Sequence, residues 1–241
     1  MKKALSLLII GGFVLSIIAT SCKKEKDTPS NPISQTPIYS TSLSGLGNHG
    51  GSPTGTAFVL PPNIKIVGSM TGGYGSFKIS KTIGNINSYL ANAPKTNYDP
   101  HGIGTYVNVY FQLRNTASST YNLIIPAGLI MCDSLPNDSI PDDTTQSGII
   151  ITDDTIVIPG DDTIGVCMSS FCLNLHHSIP SGNKYMFKVI TNNDKLSQVI
   201  AILRHKKSLA DHISDIQSIL WSITDGAGLT QADIDMMNSW Q

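Results

Sequence analysis

The chain has 241 residues, 40% of them apolar and 14% charged, with 16 Lys and Arg against 17 Asp and Glu. That length suits one well-buried domain, and the lack of a basic patch excludes nucleic acid as a partner. Sixteen of the acids are Asp and the single Glu is Glu25, which removes His-Glu-x-x-His metal chemistry and any glutamate acid or base from the folded part.

Met1-Lys2-Lys3 opens the chain with positive charge, Ala4 to Ser21 follow as an apolar run, and Ala19, Thr20 and Ser21 lead into Cys22. This is the layout of a secretory signal with a small-residue cleavage site. With cysteine directly after the small residues, the segment resembles the lipobox of bacterial lipoprotein signals, although Ala19 stands where leucine is usual. The resemblance implies removal of residues 1–21 and lipidation of Cys22; the alternative is that the apolar run stays as an uncleaved anchor helix. The partner at this end is then membrane lipid, held through the acyl anchor at about 0.8 kcal/mol per buried methylene. The expected setting is the outer membrane of a Gram-negative bacterium, on its periplasmic or cell-surface face. Residues 22–54 are rich in Lys, Ser, Thr, Pro, Asn and Gly and read as a flexible stalk.

Residues 55–191 read as strands between turn signals. Thr56–Leu60, Ile64–Met70 and Ser76–Ser80 are split by Pro61-Pro62 and Gly72-Gly73-Tyr74-Gly75, and 83–90 has the spacing of a short helix. In 105–114, Val107, Val109, Phe111 and Leu113 alternate with polar or aromatic residues, the period of a half-buried strand. Tyr121–Ile125, Leu129–Cys132, Gly148–Thr152, Thr155–Ile158, Ile164–Leu173 and Tyr185–Thr191 follow. With no long helices interleaved, this spacing predicts a mainly β fold, an antiparallel Ig-like β-sandwich with a small C-terminal helical segment. Over 192–241 the period changes. Leu196, Val199, Ile200 and Leu203 form one apolar stripe after Asn193 or Asp194, and Leu209, Ile213, Ile216, Leu220 and Ile223 form a second. Thr230 with Asp233 predicts an N-capped last helix. These stripes need apolar surface, so the helices are expected to pack on the same domain.

Asp-Asp-Thr occurs three times, at Asp142-Asp143, Asp153-Asp154 and Asp161-Asp162, inside a window (115–183) that holds no Lys or Arg. Carboxylates so placed make a candidate Ca²⁺ site, the one cofactor the sequence suggests; the alternative is a set of solvated turn residues. Cys172, His176 and His177 cluster in "FCLNLHHSIPSGNK", half of a metal-ligand set and equally a polar loop. Cys132, Cys167 and Cys172 are an odd number of thiols for an oxidising compartment and are the disulfide candidates. Cys167 and Cys172 lie five apart in one strand and should face opposite ways, so a bridge would use Cys132.

"FCLN" at 171–174, followed by Pro180, and "IQSILWSITDG" at 216–226 are similar to patches in the thioester domains of bacterial surface adhesins, with Ile216 where that family favours Thr. The resemblance implies that Cys172 and Gln217 condense into an internal thioester that acylates an amine on a host protein. The plain alternative is a core cysteine and a capping glutamine. No nucleophile–base pair or phosphate loop is visible in the sequence. The expected function is therefore binding or adhesion towards a protein or glycan ligand, not turnover. An extracytoplasmic hydrolase with Asp, His and Ser drawn from separate loops is the alternative from another class.

Overall fold

The computed structural model describes residues 40–73, 97–134 and 145–241. The expected strand at 76–80, the short helix at 83–90, Cys22, Asp142 and Asp143 lie outside them. Ten strands precede the helices in the described parts: β1 (Gly55–Ala57), β2 (Ile64–Gly73), β3 (Tyr98–His101), β4 (Val107–Asn115), β5 (Tyr121–Ile125), β6 (Leu129–Asp133), β7 (Gly148–Ile149), β8 (Asp154–Ile158), β9 (Thr163–Cys172) and β10 (Lys184–Thr191). Helices α1 (Asp194–Leu203), α2 (Ile213–Asp225) and α3 (Gln231–Ser239) close the chain, with a 3₁₀ turn at Leu209–His212 before α2.

The strands do not form a sandwich. β10, β2, β4, β9, β7 and β6 are hydrogen-bonded in that order, and β6 pairs back onto β10, so six antiparallel strands close into a barrel. The Ig-like expectation fails at β10, which has partners on both edges. Lys184 and Tyr185 face Thr71 and Met70 of β2, while Tyr185 to Ile190 run along Asp133 to Leu129 of β6. Two irregularities help the sheet curl, one between Val67 and Thr71 on β2 and one between Phe187 and Val189 on β10, since bulges add local twist and bend. Gly68, at φ 74°, sits inside the first, a conformation that glycine takes without a Cβ penalty. β1 lies outside the ring on β10, and β3 pairs in parallel with β9 through Tyr98↔Gly165 to His101↔Met168.

Alternation sorts the side chains into two cores. Val107, Val109, Phe111 and Leu113 of β4 point inward with Val166, Met168 and Cys172 of β9, Leu129 and Met131 of β6, and Phe187 of β10. The β5–β8 ladder adds Leu123, Ile125, Ile156 and Ile158 to this cluster while Ile124 and Val157 stay exposed. The outward residues Ile130, Ile149 and Phe171 meet a second cluster made by Leu196, Val199 and Leu203 of α1 and Ile216, Ile219, Leu220 and Ile223 of α2. Each such side chain is worth roughly 1.5–3 kcal/mol when removed from water, so the helices stabilise the outer barrel wall as well as themselves. Asn193 caps α1 by accepting from the N–H groups of Lys195 and Leu196, both at 3.1 Å. Thr230 and Asp233 form the reciprocal cap expected for α3.

Residues 40–54, expected to belong to the stalk, are part of this fold. Ser40 bridges Asn193, Leu46 is buried, and the Gly47 N–H donates to the Leu173 carbonyl at 2.9 Å. At Gly47, φ is 56° and an added Cβ would collide with the Thr224 carbonyl, so only glycine lets this segment lie flat on the end of α2.

Asp154 ties the start of β8 to the end of β3. Its Oδ2 accepts from the Gly102 N–H at 2.8 Å and lies 3.1 Å from His101 Nδ1, and its Oδ1 accepts from the Thr155 N–H. The His101 hydrogen bond, helped by those backbone donors and opposed by burial, holds the carboxyl below its usual 3.8. A depressed carboxyl stabilises the fold fully above its ordinary value and ceases to do so as pH falls through the lower folded-state value. Asp154→Asn is therefore expected to lower the urea midpoint at pH 7. It should also flatten the further loss that the wild type shows between pH 4 and pH 2; equal acid sensitivity in the two proteins would contradict this role.

Candidate functional site

The site forms where the last residue of β9 meets one face of α2. The β4–β9 ladder ends at Val107↔Ser170, while β7 pairs Gly148 with Cys172 on the opposite edge of β9. Cys172 therefore has an N–H and a C=O facing the β4 side with no strand to receive them. Gln217 supplies what is missing. The Cys172 N–H donates to Gln217 Oε1 at 2.9 Å, and Gln217 Nε2 donates to the Cys172 carbonyl at 2.7 Å. One side-chain amide thus acts as an extra rung of the sheet. Both residues are fully enclosed, at 0% and 1% exposure.

On α2, Gln217, Trp221 and Asp225 recur every four residues and so share one face. Gln217 and Trp221 act on Cys172 at the end of β9, and Asp225 reaches Leu175 in the turn that follows. The Cys172 thiol lies 3.4 Å from the Asn174 carbonyl and 3.3 Å from the Asn174 N–H. Asn174 also donates to the Gly47 carbonyl and accepts from the Ser147 N–H, both at 2.9 Å, which locks three segments around the sulfur. Asp225 Oδ2 accepts from Thr224 Oγ1 at 2.6 Å and from the Leu175 N–H at 3.3 Å.

Burial pushes the Cys172 thiol upward, against the Asn174 backbone and the Trp221 indole, which favour the thiolate, and with the Asp225 charge, which disfavours it. Trp221 is close enough to influence the sulfur, yet its Nε1 closes no hydrogen bond of ordinary geometry. Burial also lowers His177, assisted by His176 and opposed by the Thr145 backbone and the Asp225 charge. Both shifts favour the uncharged form of the group concerned.

The remaining sequence candidates are dispersed. Asp153 Oδ1 accepts from the Ala127 N–H at 2.8 Å and lies 3.5 Å from Arg204, Asp154 holds His101 and Gly102, and Asp162 binds the Thr163 N–H. Asp161 occupies a turn at φ 56°. Among the described residues no group of three His, Cys, Asp or Glu side chains gathers as a metal site. Cys132, Cys167 and Cys172 are all unbridged. Cys172 points into the barrel, whereas Cys132 lies next along β6 from inward Met131 and faces the other way. Cys167 is on the outer face too, but β7 separates β6 from β9, and Cys167 lies four positions before Phe171, the nearest β9 residue paired with β7. That places it beyond disulfide reach of Cys132. His101 and Asp154 form the kind of pair a hydrolase uses, yet no described hydroxyl bonds that imidazole. An open apolar groove of 580 Å³ between β1, β2 and β10, lined by Phe58, Leu60, Met70 and Phe187, offers Lys184 and no acid–base pair.

Comparison with protein families, with curated proteins and with solved structures finds no match to this chain. Asn174, Trp221 and Asp225 were not singled out from sequence. The four-residue spacing of Gln217, Trp221 and Asp225 along one face of α2 is the signal that marks two of them.

Replacing Gln217 by Ala leaves a backbone donor and acceptor buried without partners, each costing about 1–3 kcal/mol. A fall in unfolding free energy of at least that size is expected in urea titration. Ser218→Ala, on the exposed side of the same helix turn, should stay within about 0.5 kcal/mol of wild type. Equal stability of the two variants would refute the rung.

Proposed function

We propose that this chain is a lipid-anchored extracytoplasmic adhesion module that attaches covalently to an amine-bearing partner through a thioester between Cys172 and Gln217. The signal segment and Cys22 support the mooring. The observation that carries the chemistry is the seating of the Gln217 carboxamide on the backbone of Cys172 itself, inside an enclosed site.

The arrangement does two things for condensation. It seats the carboxamide on the backbone of the residue that bears the thiol, so their meeting is intramolecular and needs no bimolecular encounter. It also aims the Cys172 N–H at Oε1, so charge that develops on that oxygen when Sγ adds to Cδ has a donor in place. Collapse breaks the Cδ–Nε2 bond. The nitrogen leaves as ammonia with the thiol proton, and the S–Cδ thioester remains with no change of oxidation state. Exclusion of water from the buried pair protects this ester from hydrolysis. For attack by a primary amine on a partner, such as a lysine side chain, the enclosed pair must first be uncovered; the amine then adds to Cδ and expels the sulfur. A stable amide forms, and the thiol regains a proton from the amine.

Intact mass of the unlipidated folded domain is expected to be one ammonia below the sequence mass. Methylamine should add at Gln217 with release of one titratable thiol, and Cys172→Ala should abolish both. A wild type of full sequence mass that takes up no methylamine would overturn the reading and leave Gln217 as a structural rung.

A further inference from the structure

We propose that the cleft between β2 and β10 binds a free single-chain amphiphile with an anionic head, a long-chain carboxylate, whose alkyl tail lies on Met70, Tyr185 and Phe187 and whose head meets Lys184. Neither Cys172 nor Gln217 lines this cleft, so the two sites can be tested apart.

The cleft opens where the ring closes over its shortest ladder between long strands. β10 pairs with β2 only through Lys184↔Thr71 and Tyr185↔Met70, and with β1 only from Val189 to Thr191. Between them, along Met186 to Lys188, this edge of β10 has no paired strand, and the Phe58 N–H alone reaches across, to the Lys188 carbonyl at 3.4 Å. The slip between Val67 and Thr71, with Gly68 at φ 74°, sends the first half of β2 along β4 instead. A Cβ added at Gly68 would meet nothing within 4 Å, so the bulge stands at an open rim. The space left is a groove of 580 Å³, within the roughly 300–1,000 Å³ of small-molecule sites.

The floor of the groove belongs to the barrel core. Met70, Tyr185 and Phe187 are buried members of the inner cluster, and Phe58, Leu60 and Ile66 pack against it. Phe58 meets Phe187 edge to face with ring centroids 5.2 Å apart, and Phe187 meets Phe111 in the same way at 5.4 Å. An apolar tail laid there touches a packed surface that needs no rearrangement to receive it. The rim is apolar as well, with Val59 78% and Met186 39% exposed. A single exposed hydrophobe is ordinary, but two at the mouth of an apolar groove mark a binding surface.

Charge selects the head group. Lys184, Ser69 and Ser134 line the groove, and no described carboxylate does. Lys184 is exposed and forms no salt bridge among the described residues. Asp133, beside Ser134 on β6, accepts from Thr145 and Asn183 instead, and the Tyr185 hydroxyl donates to the Gln146 carbonyl. A cation at the end of an apolar floor, with two hydroxyls able to donate, is the complement of an alkyl chain that ends in an anion. An added peptide strand fits less well, because the open edge at Met186–Lys188 is shorter than the roughly five or six residues of a usual strand. A bilayer would need a protruding apolar face, and this surface is concave.

The test uses the unlipidated protein from residue 23 onward, which keeps every described residue and carries no acyl chain of its own. The fluorescent long-chain carboxylate cis-parinaric acid is the probe, dodecanoate and dodecanol are the competitors, and melting temperature checks folding. Probe emission is expected to rise saturably, and dodecanoate should displace the probe at lower concentration than dodecanol. Lys184→Gln should weaken dodecanoate about fivefold, the upper end for an exposed ion pair, and leave dodecanol unchanged, a loss of preference that a purely structural lysine would not produce. Ser69→Glu, at an exposed rim position, should weaken dodecanoate further by bringing a carboxylate to the groove, and it provides the reading should Lys184→Gln fail to fold. Lys207→Gln, exposed and outside the groove, should match wild type. A folded wild type without saturable probe binding overturns the site, and so does binding that Lys184→Gln and Ser69→Glu both leave unchanged. Flotation with phosphatidylglycerol vesicles in the absence of saturable probe binding would mark a membrane-contact face instead and overturns it equally.

Discussion

Two hydrogen bonds between the Gln217 side chain and the backbone of Cys172 join the halves of this protein. β9 is longer than the strand that pairs with it, so its final residue reaches beyond the ladder with its polar groups in a dry place. An ordinary solution would be one more residue of strand. Here a helix contributes an amide from its side, and the helical cap and the barrel become a single object at that point. The apolar cluster that Phe171 shares with Leu220 and its neighbours supplies most of the attraction, but such packing is non-directional. The amide fixes how α2 is turned about its axis and hence where Trp221 and Asp225 point.

Barrel closure sets up that junction. With β10 bonded to β2 and β6 at once, the ring has no free edge among its six strands, which avoids the exposed N–H and C=O rows that invite pairing with other chains. Closure also gives the wall two apolar sides, an inner one filled by Phe111, Leu113 and Met168 and an outer one that needs the helices. Cys172 sits where the wall changes from one neighbour to another, inward-facing yet within reach of α2. A thiol placed there is shielded from oxidants and water, and it keeps a carboxamide beside it.

Much of the local structure was legible because it obeys simple periods. The alternation of Val107 to Leu113 placed β4, and Asn193 and Thr230 placed the helix starts. The same alternation could not say that the sheet closes, because an inward residue looks alike in a sandwich and in a barrel. The deciding fact is a pairing between β6 and β10, more than fifty positions apart in the chain. β3 was missed since Tyr98-Asp99-Pro100-His101 has neither an apolar period nor a hairpin turn, and its parallel pairing with β9 is a tertiary event. The Asp pairs misled for a related reason. Asp153 and Asp154 are spent on Ala127, His101 and Gly102, contacts that no spacing rule anticipates. Cys172 and Gln217 could be paired from two short patches, whereas the Asn174 and His177 turn became visible only once the chain had folded around the sulfur.

The central claim is that carboxamide and thiol are held together so that they join. A crystal structure of the folded, unlipidated domain at a resolution that separates bonded from non-bonded sulfur and carbon tests it most directly. Continuous density between Cys172 Sγ and Gln217 Cδ, with one nitrogen fewer on residue 217 and the Cys172 N–H still on the carbonyl oxygen, is the expected result. An intact Gln217 amide, whether still seated on the Cys172 backbone or turned away from it, with no density joining it to the sulfur would contradict it.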